Sequence, residues 1–263
     1  MNMKNPSELM DYLLNVCTEK GNKCIMKLVM LGFMAGMFIA LGAVGSIVAS
    51  STLAKTDPGL GKFVAGAVFP VGLMCVLLTG AELFTSNCML VVAVINKNIT
   101  MGQLLKNWLI VYSSNFIGCL FVAFITILTH NFNDDALSYI TKLAVYKVTA
   151  PAHYLFLKGI LCNVMVCGSV LMAYCAKDVV GKLFAAWFPI MLFVVLGYDH
   201  CVANMLYFMA AKFGGADISF AQIGYNLFFV TLGNIVGGTV FMSIPMYIAH
   251  YKKKGCGTTI CDL

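Results

Sequence analysis

Two stretches of this chain are long and apolar enough to enter a membrane, yet each is broken partway by polar residues. Residues 63–95 are interrupted by TGAELFTSN at 79–87, and residues 183–213 by LGYDHCVAN at 196–204. A bilayer core about 30 Å thick needs about 20 apolar residues per helix. Four further runs fit that length without interruption: 27–50, 106–130, 158–176 and 224–250. The expected fold class is an all-α membrane protein with six transmembrane helices, the second and fifth discontinuous. Composition agrees: 60% of the residues are hydrophobic and 11% charged, against about 25% charged in soluble domains.

Lysine placement orients the chain. With both termini cytoplasmic, the inner loops and ends hold eleven lysines (4, 20, 23, 27, 97, 106, 177, 182, 252, 253 and 254) and the outer ones six (55, 62, 142, 147, 158 and 212). Positive charge favours the cytoplasmic side. Ahead of the spans, PSELMDYLLNVCTEK (6–20) sets Leu9, Met10, Leu13, Leu14 and Cys17 along one helical face. That pattern suits a helix lying at the membrane interface, or a cytosolic cap helix. Charged residues precede the first apolar run, the wrong layout for a secretory signal. The expected organisation is an amphipathic N-terminal helix (1–26), one transmembrane domain (27–250) and a cytoplasmic tail (251–263).

The two interruptions echo each other. Gly80, Glu82 and Asn87 recur as Gly197, Asp199 and Asn204, each 117 residues later, and NFIG (115–118) recurs as NIVG (234–237). Three spans lie in each half, so the second half enters the membrane from the opposite side. This is the pattern of inverted repeats, here about 27–130 and 158–250. Gly80 and Gly197 suit the dihedrals that end a half-helix. Glu82 and Asp199 suit capping of the exposed amides that follow; as intramembrane acids they also invite a proton-relay reading. Half-helix N-termini carry partial positive charge and exposed amides, and no further acids lie in the spans to select cations. A path for small anions follows.

GAELFTS (80–86), GQLLKNWLIVYSSNFIG (102–118), GILCNVMVC (159–167), GYDHCVANM (197–205) and VTLGNIVGG (230–238) together resemble the formate–nitrite transporter family, over about residues 6–250. The resemblance implies an aquaporin-like fold, a homopentamer in the bilayer with one pore per protomer, and small monovalent anions as permeants. It makes His200 the central pore histidine, with Thr85 and Asn163 beside it. Phe69, Leu73 and Phe193 become one apolar constriction, and Leu83 and Phe84 the other. Lys147 becomes an anion-attracting vestibule residue. Read without the resemblance, a histidine at membrane depth is functional by default, whereas Lys147 would be a solvated charge in an exposed loop at 131–157.

Cys201, where formate members often carry serine, together with Tyr198-Asp199 and Pro70 after Phe69, departs from the formate pattern. These changes favour the hydrosulfide branch, with formate and nitrite also permeant, in a bacterial cytoplasmic membrane. A proton-coupled formate or nitrite carrier is the alternative. An aquaporin-type solute channel would carry Asn-Pro-Ala at both breaks, where this chain has TSN and VAN. No catalytic constellation, metal site, cofactor or nucleic-acid partner is implied: the eleven cysteines are scattered without CxxC spacing. The pairs Gly32–Gly36 and Gly233–Gly237 permit close helix packing, within a protomer or between protomers.

Overall fold

A computed structural model of the chain describes residues 3–251; beyond Tyr251 the expected tail lies outside the described residues. Among the described residues the chain is helical, with one isolated bridge pairing Met3 and Ala176. The helices that build it are α1 (Pro6–Gly21), α2 (Ile25–Ser50), α3 (Pro58–Thr79), α4 (Phe84–Ile95), α5 (Met101–Leu128), α6 (Asp134–Val148), α7 (Ala152–Cys175), α8 (Val179–Leu196), α9 (Cys201–Phe213) and α10 (Phe220–His250). Six of these, α2, α3, α5, α7, α8 and α10, have the length and composition to cross a bilayer, and α4 and α9 are shorter apolar helices.

Several helices begin before the apolar runs because polar caps start them. Asp57 accepts from the Leu60 amide, Asp178 from that of Gly181, and Thr100–Gln103 and Ser219–Gln222 form reciprocal capping boxes. The 131–157 segment is not an exposed loop. Asn133 caps α6, whose Ala136, Ile140, Ala144 and Val148 form a buried stripe. The helix is amphipathic and short, so a search for spans passes over it. The apolar face of α1 (Leu9, Met10, Leu13, Leu14, Cys17) is buried in the same core as the spans. It therefore packs as a cap helix against the bundle, not as a free interfacial helix.

Each break follows from one left-handed glycine. Gly80 (φ 69°) ends α3 and Gly197 (φ 69°) ends α8; a side chain is disfavoured at such dihedrals. The chain then runs extended at Leu83 and His200 before helix resumes. Numbered this way, α1–α5 and α6–α10 run through helices of similar length in the same order. In the first half α2 packs on α5, and in the second α7 packs on α10. A Cβ at Gly36 would sit 2.1 Å from the Asn115 carbonyl oxygen, and one at Gly233 would sit 2.2 Å from that of Phe156. These glycines thus pack helices within one chain. The halves differ at Gly237–Ser243, where α10 widens into a π-helical turn.

Candidate functional site

Asparagines at both breaks tie the half-helices to the spans. Asn115 donates to the Gly32 carbonyl (2.7 Å) and the Glu82 carbonyl (2.9 Å), and accepts from the Phe84 amide (2.9 Å). Asn234 repeats this with Gly159 (2.8 Å), Asp199 (2.9 Å) and the Cys201 amide (2.9 Å). Each thereby caps the helix that starts after the break. Glu82 and Asp199 do not cap as the sequence led us to expect. Their carboxylates face lysines: Glu82 meets Lys23 (2.9 Å) and Lys20 (3.2 Å), and Asp199 meets Lys147.

A second asparagine pair completes each frame. Asn87 donates to Glu82 (2.8 Å) and Asn107 (2.9 Å), while Asn107 donates to the Lys20 carbonyl (3.1 Å). Asn204, Asn226 and Lys147 repeat the set, at 3.1 Å to Asp199, 3.0 Å to Asn226 and 2.8 Å from Asn226 to the Lys147 carbonyl. Lys20 and Lys147 are therefore counterparts, 127 residues apart, and the correspondence of the halves includes α1 and α6. Burial works against the charge on Lys20, but the Glu82 carboxylate outweighs it and holds the lysine pKa above its usual range. The asparagine oxygens depart from this symmetry. Asn87 Oδ1 accepts from Lys20 (2.9 Å), whereas Asn204 Oδ1 has no partner among the described residues.

At the centre the halves meet. Thr85, near the start of α4, and His200, which caps α9, lie 2.9 Å apart from Oγ1 to Nε2, both buried. The Ala203 amide donates to His200 Nδ1 (3.1 Å). A backbone N–H can only donate, so Nδ1 carries no proton; in the neutral ring Nε2 carries it and donates to Thr85. The Thr85 hydroxyl proton is then free to point elsewhere. Asn163 stands behind this pair: it donates to the Thr85 carbonyl (3.1 Å) and the Asn234 carbonyl (2.6 Å), and its hydrogen bonds reach the Thr85 backbone, not its hydroxyl or the histidine ring.

Apolar side chains flank the pair. The Phe69 and Phe193 rings meet edge-on at 5.6 Å, and Phe193 stacks on the His200 ring at 6.1 Å. A cavity of about 360 Å³ opens beside α6 and reaches Phe193 and His200; Lys62, Lys147, Lys158 and Tyr207 also line it. A smaller cavity of about 210 Å³ lies beside α1, lined by Tyr12, Lys20, Lys23, Leu73, Ser86 and Tyr174 among others. Leu73 thus lines the α1 side, apart from Phe193, with which the sequence grouped it. Leu83 is fully buried, and Phe84 packs against Tyr112 (4.9 Å) and Trp108 (6.1 Å); neither lines either cavity. Lys147 is buried at the end of α6 and paired with Asp199, not solvated in a loop.

Sequence reading missed Lys20, Lys23, Asn107 and Asn226 as parts of this frame. Asparagine at a buried position inside an apolar helix was the available signal, since such a group is costly unless fully bonded.

The chain is similar in sequence and fold to known proteins. The family described as formate/nitrite transporter matches residues 7–248. The formate channel FocA of Haemophilus influenzae is 37% identical over 261 residues, covering 91% of this chain and 92% of its own. Among solved structures, an FNT family ion channel superposes with a TM-score of 0.84 at 31% identity, over 92% of this chain and 98% of that one. A pentameric formate channel with formate bound gives a TM-score of 0.75 at 28% identity, over 87% and 98%.

Proposed function

The chain belongs to the formate/nitrite transporter family, and from that premise we propose that it conducts small monovalent anions of weak acids, formate foremost, along a path between Thr85 and His200. It is a multi-pass membrane transport protein, not an enzyme. The observation that carries the proposal is the buried Thr85–His200 contact, reached from one side by a lysine-bearing cavity and bordered by phenylalanines.

Lysines at the cavity raise the local concentration of anion. A bare charge at the apolar neck is heavily penalised, so the step across it needs donors at the neck or a proton on the permeant. The Thr85 hydroxyl, released by the His200 Nε2–H, supplies a donor between the two half-helices. His200 works as a fixed neutral donor in this account. Protonating Nδ1 would set two donors against each other at the Ala203 amide, so relay through the ring carries a structural cost that argues for a passive channel. The asparagine frame holds both half-helices still, and Lys147 draws anions to the α6 side while its pairing with Asp199 prevents tight capture.

Formate leads because FocA and the pentameric structure are named for it. Hydrosulfide, which the sequence favoured, ranks behind it: Cys201, one of the departures that pointed there, is fully buried and lines neither cavity. Nitrite falls in the same class of permeant. Assembly as a homopentamer rests on the pentameric relative. Insertion in a bacterial plasma membrane with both termini inside rests on the lysine excess and the even number of spans. Each half carries three spans, so the second half enters the membrane from the opposite side, which supports reading the halves as inverted repeats. The test is efflux of formate, nitrite and hydrosulfide from proteoliposomes, with and without an uncoupler. Formate should leave fastest and at a rate the uncoupler does not change. Flux that collapses with the proton gradient would establish a coupled carrier instead.

A further inference from the structure

The cavity beside α6 is far larger than its proposed traffic requires. Its volume of about 360 Å³ lies within the range of roughly 300–1,000 Å³ that holds ligands of many heavy atoms, whereas formate has three. Its lining is specific as well as roomy. Tyr139, Tyr146, Tyr198 and Tyr207 all face it, together with Lys62, Lys147 and Lys158. Lys147 is engaged by Asp199, but neither Lys62 nor Lys158 has a carboxylate within ion-pair distance among the described residues. The Lys158 ammonium instead lies 5.4 Å from the Tyr146 ring centre and 3.4 Å from its hydroxyl. The cavity therefore carries surplus positive charge beside aromatic faces.

We infer that this cavity is a binding site for an aromatic monoanion, a ring bearing one carboxylate or sulfonate, which lodges there and closes the path without crossing it. Lys158 and Lys62 take the anionic group as charge-assisted hydrogen-bond donors, and the tyrosine rings take the aromatic body edge-on or stacked. Passage onward is barred at the neck, where Phe69 meets Phe193 and Thr85 meets His200. The α1-side cavity holds about 210 Å³ and its lysines, Lys20 and Lys23, are both committed to Glu82. It therefore lacks both the room and the uncommitted charge. The blocking role rests on the permeation path proposed above; the binding role does not.

Benzenesulfonate stays ionised at all working pH values and carries the ring; methanesulfonate carries the same charge without it. Calorimetric titration of the purified protein should show benzenesulfonate binding once per chain, and methanesulfonate roughly tenfold or more weaker, the scale of losing the aromatic contact. Lys158→Gln and Tyr146→Leu should each weaken benzenesulfonate by roughly tenfold, as the loss of one charge-assisted or aromatic contact does. In proteoliposomes, benzenesulfonate but not methanesulfonate should slow formate efflux at the concentrations where it binds. No binding in the tens of millimolar range, equal binding of the two sulfonates, or unchanged affinity in both variants would overturn the site. Binding without any slowing of a measurable formate efflux would overturn the plug. If formate itself does not pass, the channel reading fails while the titration still decides the site.

Discussion

The two halves of this protein share a frame and differ in what they present on it. In both, an asparagine caps the half-helix after the break, a second asparagine reaches an acid, and a lysine from a peripheral helix faces that acid. The side chains at the start of each half-helix diverge at the same register. Leu83 corresponds to His200, Phe84 to Cys201 and Thr85 to Val202, each 117 residues apart. The frame is thus what the two halves have in common, because it satisfies backbone at membrane depth in either direction. The proposed path sits where the halves disagree: one half contributes the hydroxyl and the other the imidazole. Even the charge balance differs, since Glu82 faces two lysines and Asp199 one.

The comparison breaks most visibly if the frame is cut. Asn115→Leu strands the Glu82 carbonyl and the Phe84 amide, Asn234→Leu strands the Asp199 carbonyl and the Cys201 amide, and each orphaned buried group costs about 1–3 kcal/mol. Both variants should fail to yield monodisperse protein on size exclusion. A well-folded product from either would show that its half does not depend on the frame. Next comes removal of an acid. Glu82→Gln removes the carboxylate facing both Lys20 and Lys23, of which Lys23 keeps only the exposed Glu19 at 3.4 Å, whereas Asp199→Asn removes that of Lys147 alone; breaking a buried pair costs about 3–5 kcal/mol. Thermal unfolding should therefore rank Glu82→Gln as the less stable of the two; the reverse order would mean that the second lysine is not held by Glu82.

Smaller effects sharpen the parallel between α1 and α6. Cys17 lies on the buried face of α1, where burial pushes its thiol up to about 12, while Cys24 is exposed. Thiolate is the reactive form, so alkylation at pH 8 followed by peptide mass spectrometry should modify Cys24 and spare Cys17. Glu82→Gln, by loosening α1, should raise Cys17 labelling; equal labelling of both thiols in the unaltered protein would mean that α1 is not docked. Smallest of all is Val202→Thr, which places a hydroxyl at the counterpart of Thr85. With Val202 fully buried and facing α5 through its carbonyl, formate efflux should match the unaltered protein. A changed rate would mean that the path is set by both half-helices alike.

The breaks and the spans were legible in the sequence because an acid at membrane depth is costly and a nearby glycine marks where a helix can end. Gly80 and Gly197 could be placed from their neighbours alone. The reach of the repeat was not legible, because corresponding helices do not keep one offset: 127 residues separate Lys20 from Lys147, 117 separate Glu82 from Asp199, and 119 separate Asn115 from Asn234. Connections of unequal length shift the register between helices, so only motifs inside one helix line up. α6 was missed for a related reason, since its stripe of Ala136, Ile140 and Ala144 is too small to stand out among its polar residues. The roles of Glu82 and Asp199 were misread because an acid beside exposed amides resembles a cap. Their lysine partners come from helices far away in sequence.

The most direct test of the account is formate efflux through His200→Asn. Asparagine can still accept the Ala203 amide and cap α9, so the variant should fold as the unaltered protein does, but it removes the Nε2–H that frees the Thr85 hydroxyl. Losing one such donor, about 1–3 kcal/mol, corresponds to a rate lowered roughly ten- to a hundredfold. That result, with an unchanged melting temperature, places the path between Thr85 and His200. Formate leaving at the unaltered rate through a folded His200→Asn channel would contradict it.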